Sequence, residues 1–205
     1  MVQVAIRPAA YAALLCLAFG AASAQPAAAP EELSPALAPA PETETREEAL
    51  DRLFLELAAT EEEKAAEAIA EDIRRLWAKS GSDSMDFLLE RARKALTEKK
   101  YDRARMHVSA LTRLAPDFAE GWNAAATLAY LQEDYGRAAV EIERALALEP
   151  RHFSALVGFA MILEKVERKQ AAMAAWREVE RLYPALPRAK EAVRRLAPEV
   201  DGRDL

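Results

Sequence analysis

Two histidines, His107 and His152, are the side chains of this 205-residue chain best suited to acid–base or metal chemistry. They stand 45 residues apart, with no cysteine or third histidine at ligand spacing, whereas a zinc site needs three or four such ligands. His107 falls mid-helix beside Val108, and His152 follows Pro150, so both read as structural. Glu61, Glu62 and Glu63 open an apolar periodic segment, where the helix dipole favours negative charge; they read as a first-turn cluster. No G-x-S-x-G, H-E-x-x-H or phosphate-cradling glycine loop occurs. Trp77, Trp122 and Trp176 have the rings to stack a sugar or a base, but each lies in a helical stripe, which favours core packing. No constellation of acid, base and nucleophile is visible. The expectation is a non-enzyme with no catalytic residue, no cofactor and no metal.

Charge narrows the partners. The chain carries 28 bases and 34 acids, a formal net charge of −6. A general nucleic-acid binder needs a positive surface to displace counterions, so nucleic acid is not an expected partner. The imbalance is local: residues 31–84 hold 15 acids and 6 bases, whereas residues 85–118 hold 5 acids and 8 bases. Solvated helix faces account for this; a polarised surface that orients a partner is the alternative.

The first 24 residues have the form of a secretory signal. Arg7 supplies the positive charge, "AAYAALLCLAFG" (9–20) the apolar stretch, and Ala22-Ser23-Ala24 the small-residue cleavage site. Cleavage after Ala24 would remove the sole cysteine, Cys16, and leave a periplasmic or secreted bacterial protein without disulfides or membrane insertion. Retention of the segment as an anchor is the alternative. Residues 25–43, "QPAAAPEELSPALAPAPET", hold five prolines and no aromatic residue, and predict a disordered linker.

What must position any functional residue is helical. "TREE" (45–48) has the form of a capping box, and Leu50, Leu53, Phe54 and Leu57 then recur on one helical face. "TEEE" (60–63) predicts a second capping box, followed by a stripe of Ala65, Ile69, Ile73 and Leu76 with Trp77 beside it. No segment alternates with period two, and no hairpin turn separates such segments, so an all-α fold is expected.

Pro116, Pro150 and Pro184 are spaced by 34 residues and divide the chain into units 85–118, 119–152 and 153–186. A fixed period of this length marks stacked repeats. The middle unit, "AEGWNAAATLAYLQEDYGRAAVEIERALALEPRH", resembles the tetratricopeptide repeat: Trp122, Ala126, Tyr135, Ala138, Ala145 and Pro150 stand where that family's pattern asks. In the first unit Ala92, Tyr101, Ala104 and Pro116 fit, with Leu88 at the tryptophan position and Leu111 at the third small position. In the third unit Ala160, Ala172 and Pro184 fit, with Leu156, Lys169 and Val179 replacing pattern residues. Small residues let two helices approach closely. Proline stops each second helix and turns the chain toward the next unit.

The resemblance implies a right-handed α-solenoid of antiparallel helix hairpins, spanning residues 44–200 with an N-terminal helix pair, a C-terminal capping helix at 186–197 and a disordered tail at 201–205. The acidic pair at 45–79 is expected to cover the open end of the first unit. The resemblance also implies protein–protein interaction: an adaptor, scaffold or assembly factor that takes a peptide or helix in a concave groove. The groove positions it implies are Leu89, Arg93, Leu96, Asn123, Thr127, Tyr130, Val157, Met161 and Glu164. Positions that clamp a C-terminal carboxylate in some family members are here Leu89, Arg93, Ala124, Ser154 and Gly158, so an apolar segment or amphipathic helix is the expected ligand. A self-associating structural protein and a non-catalytic subunit of an enzyme complex remain alternatives.

Overall fold

The computed structural model describes residues 44–200 and Gly202. The expected signal at 1–24, the linker at 25–43 and most of the tail at 201–205 lie outside the described residues. Among the described residues there are nine α-helices and no strand. They are α1 (Arg46–Ala59), α2 (Glu63–Trp77), α3 (Asp83–Thr97), α4 (Tyr101–Leu114), α5 (Ala119–Leu131), α6 (Tyr135–Leu148), α7 (Phe153–Lys165), α8 (Lys169–Leu182) and α9 (Pro187–Val200). Pairs α3–α4, α5–α6 and α7–α8 are the three units, stacked as a helical solenoid, and α9 packs on α8 as the first helix of a fourth unit would.

Local chemistry explains the helix ends. Thr45 and Glu48 form the expected capping box, each bonding the other's backbone N–H, and Leu50, Leu53, Phe54 and Leu57 are buried together. The second box does not form. Thr60 instead bonds its hydroxyl back to the Glu56 carbonyl, and Glu62 caps α2 by accepting from the Lys64 and Ala65 N–H groups. The buried stripe of α2 is Ala66, Ala70, Ile73 and Trp77, which leaves Ala65 exposed and Ile69 and Leu76 partly buried.

The 34-residue period is visible in the backbone. Ala115, Glu149 and Tyr183, each directly before a proline, have φ of −132°, −137° and −138°. Proline's ring excludes α geometry from the preceding residue, so each second helix ends there. Phe118, His152 and Leu186 then close the same turn by donating N–H to the carbonyls of Ala115, Glu149 and Tyr183. Within the units, Lys99, Glu133 and Glu167 all occupy the left-handed region, with φ of 55°, 59° and 57°. At each, the next residue's N–H reaches back five residues, to Ala95, Ala129 and Leu163, which satisfies orphan carbonyls of the first helix.

The N-terminal hairpin α1–α2 does not cover the first unit, contrary to expectation. It lies across the inter-unit turns and packs on the third unit. Phe54 and Trp77 meet Phe153 with ring centroids 6.4 and 4.9 Å away. Asp51 pairs with Arg151 at 2.6 Å, and the Tyr183 hydroxyl donates to Glu67 at 2.8 Å. Burial and this carboxylate raise the Tyr183 phenol well above its ordinary value.

The physical reason lies in the first unit's open side. In later units, the side of the first helix that meets the preceding unit is apolar. It carries Gly121, Ala124, Ala125 and Leu128 in α5, Ala155, Phe159 and Ile162 in α7, and Ala189, Ala192 and Leu196 in α9. A Cβ on Gly121 would stand 3.4 Å from the Leu111 Cβ, a measure of how closely α4 and α5 approach. The matching residues of α3 are Phe87, Glu90, Arg91 and Lys94, all exposed. Three of these four are charged, so burying this side would desolvate them without compensation.

Candidate functional site

Side chains of α5 and α7 form a cleft of about 220 Å³. Its aliphatic walls are Ala126, Ile142, Val157 and Ile162, and its polar groups are Asn123, Thr127 and Ser154. Gly158 leaves room at the base, where an added Cβ would touch Ile142 at 3.4 Å. Tyr130 and Met161 stand between this cleft and a wider one of about 580 Å³, bordered by Glu164, Trp176, Arg188 and Arg195. Tyr130 is held against Tyr135 of α6, ring centroids 5.7 Å apart. An apolar slot with few polar groups suits an apolar side chain presented by a peptide or helix.

Five of the nine expected groove residues therefore share one cleft: Asn123, Thr127, Tyr130, Val157 and Met161. The other four have different roles. Leu89 is 1 % exposed, packed with Ala92, Val108, Leu111 and Leu128, and offers nothing to a partner. Its expected place in the groove is corrected, because the cores of α3, α4 and α5 seal its side chain. Leu96 is half-buried against the same core. Arg93 is partly exposed, but its guanidinium donates to the Glu120 carboxylate at 2.7 Å. Glu164 borders the wider cleft and accepts from the Trp176 indole and from Arg195, both at 2.7 Å.

Glu120 is a buried group that its sequence position does not announce. One carboxylate oxygen accepts from Arg93 at 2.7 Å and from the Asn123 amide at 3.2 Å; the other lies 2.7 Å from His152 Nε2. His152 is fully buried, and its Nδ1 accepts the Ala155 N–H at the start of α7, so Nε2 carries the proton and donates to Glu120. Burial alone would raise the Glu120 carboxyl, but the bond from His152 and the charge of Arg93 outweigh it and hold the carboxyl below its ordinary range. These groups satisfy one another. They link α3, α5 and α7 as a polar rivet. A glutamate in the first turn of α5, 32 residues before a histidine at the start of α7, is the sequence signal for it.

No group of three or more His, Cys, Asp or Glu able to hold a metal occurs among the described residues. None of the described helices is long and apolar enough to cross a membrane.

Comparison with known proteins bears on the fold and family. No family model matches the chain. A TPR repeat-containing protein of Rhizobium etli is 38 % identical over 153 residues, covering 75 % of each chain. Two solved structures share the fold. The TPR domain of Arabidopsis OM64 aligns with a TM-score of 0.55 and 19 % identity, covering 58 % of this chain and 98 % of that domain. The first TPR domain of human RPAP3 aligns with a TM-score of 0.53 and 17 % identity, covering 57 % of this chain and 92 % of that domain.

Proposed function

Because this chain belongs to the tetratricopeptide-repeat family, a family of protein-interaction modules, we propose that it is an exported adaptor or scaffold whose α5–α7 cleft takes an apolar segment or amphipathic helix of a partner protein. The observation that carries the reading is the convergence of Asn123, Thr127, Tyr130, Val157 and Met161 on one open, mostly aliphatic cleft. These residues are half-buried or exposed rather than sealed in the core, so a partner can reach them. Export is supported by the residue types of the first 24 positions, which suit a cleavable signal.

The test is a photoreactive side chain at Thr127 in the full chain, expressed in its native host. Irradiation is expected to give one discrete crosslinked species in the envelope fraction, lost when Val157→Arg fills the cleft with charge. Undiminished crosslinking in Val157→Arg, with unchanged helicity, would remove the cleft from the reading. Sequencing of the isolated protein is expected to begin at Gln25; an intact Met1 on a membrane-bound chain would replace cleavage by anchoring.

A further inference from the structure

The open side of the first unit holds a recess of about 200 Å³ lined by Arg91, Lys94, Glu98, Lys100, Arg103 and His107. Glu98 is committed to Lys100 at 2.7 Å. Among the described residues, Arg91, Lys94 and Arg103 have no ion-pair partner. Arg91 instead lies over the exposed Phe87 ring, 5.8 Å from its centroid.

Solubility alone does not call for this arrangement. An exposed end needs charge, but charge of either sign serves, and this chain has a net charge of −6. Helix dipoles account for only part of it, since Lys94 lies in the last turn of α3. The C-terminus of α3 attracts Lys99 and Lys100, yet Arg91 lies well back along that helix. Arg103 sits in the first turn of α4, where the dipole disfavours a cation. His107, one turn on, is half-buried between these groups; burial first, and then the charges of Arg91 and Arg103, hold its imidazole below the ordinary histidine range. Arg91 and Arg103 join Lys94 and Lys100 around a recess whose one carboxylate, Glu98, already pairs with Lys100, and so leave an excess of positive charge. A single carboxylate would need only one arginine, whereas a phosphate carries up to two charges and several acceptor oxygens.

We propose that the recess bounded by Arg91, Lys94, Arg103 and His107 binds a phosphate group, supplied either by a small phosphate compound or by a phospholipid headgroup. The guanidinium groups donate to its oxygens, and His107 gains a proton donor's role once the anion offsets the surrounding charge. The proposal does not rest on the α5–α7 cleft, which lies on other helices.

The experiment is an NMR pH titration of the two histidines in the full chain, in which His107 reports on the recess and buried His152 serves as internal control. Inorganic phosphate is compared with sodium chloride at matched ionic strength. The expected result is a saturable upward shift of the His107 pKa with phosphate alone, weakened about tenfold in apparent affinity by Arg103→Gln or Arg91→Gln, and unchanged by Arg113→Gln outside the recess. A second arm sediments the protein with phosphatidylglycerol or phosphatidylcholine vesicles. Sedimentation with phosphatidylglycerol that Arg103→Gln abolishes assigns a lipid headgroup; a phosphate-saturable site without sedimentation assigns a small phosphate. Identical, non-saturating responses to phosphate and chloride, together with no Arg103-dependent sedimentation, overturn the proposal.

Discussion

Trp77 lies flat against His152, ring centroids 4.1 Å apart and planes 13° apart, although the two belong to different substructures. The indole comes from the N-terminal hairpin; the imidazole caps the third unit and bonds Glu120 of the second. One aromatic contact thus joins α2 to the polar rivet between units. Trp77→Ala should cost about 3–5 kcal/mol, the usual loss for a buried tryptophan. Urea unfolding followed by circular dichroism measures it, and amide exchange in α1 and α2 should rise more than in α3 and α4. Uniform protection in the variant would mean that the hairpin is held elsewhere.

Glu120 makes stability depend on acid. Its carboxyl is held below the ordinary glutamate range in the folded chain, so the unfolded chain binds the proton first as pH falls. The contribution is fully present above the ordinary glutamate value and is lost as pH drops through the folded value. Glu120→Gln should flatten this dependence, seen as a smaller loss of melting temperature between neutral and acid pH than in the parent chain.

Arg93→Glu should lower stability rather than act on a partner alone. It removes a 2.7 Å donor to Glu120 and sets a second carboxylate beside it, which should cost about 1–3 kcal/mol because only the Glu120 side of the pair is buried. Arg93→Gln, which keeps a donor, should cost less. Denaturant midpoints at unchanged slope compare the two.

The left-handed residues of the three intra-unit turns are strained. Lys99, Glu133 and Glu167 pay for a Cβ in a region that glycine enters freely. Each change to glycine should stabilise by roughly 0.5–1 kcal/mol, and the three should add because they lie in separate turns. Thermal melts of the single and triple variants test this.

Gly158→Ala should raise stability by about 0.5–1 kcal/mol through helix propensity, since the new methyl meets Ile142 at an ordinary contact distance. The same methyl shrinks the cleft. Calorimetry and Thr127 photo-crosslinking should therefore move in opposite directions.

Much of this was legible from residue spacing. The turn prolines at 116, 150 and 184 repeat because a local steric rule acts at each, and local rules leave periodic traces. Thr45 and Glu48 signal their box for the same reason. The placement of the hairpin left no such trace: Trp77 and His152 are far apart in the chain, and neither departs from an ordinary core pattern. Thr60 misled because a hydroxyl can serve the helix before it as readily as the one after. Leu89 was misplaced because the same repeat position is half-buried in the later units, at Asn123 and Val157, and only tertiary packing on α4 and α5 seals it in the first. Asn123, Thr127, Tyr130, Val157 and Met161 share a cleft because the 34-residue register sets the first helices of the second and third units side by side. Glu120 was missed because a lone acid in a first turn ordinarily faces water.

The strap of α1 and α2 over the inter-unit turns has a mechanical consequence. Stacked hairpins touch only their neighbours and flex like a spring. Here one stretch of that spring is splinted, from the turn before α7 to the turn before α9, while α3 and α4 are held by their packing on α5 and by the Arg93–Glu120 bond. The two ends are thus braced unequally: the third unit is gripped by its neighbours and by the strap, whereas the outward side of α3 carries exposed Phe87, Glu90, Arg91 and Lys94.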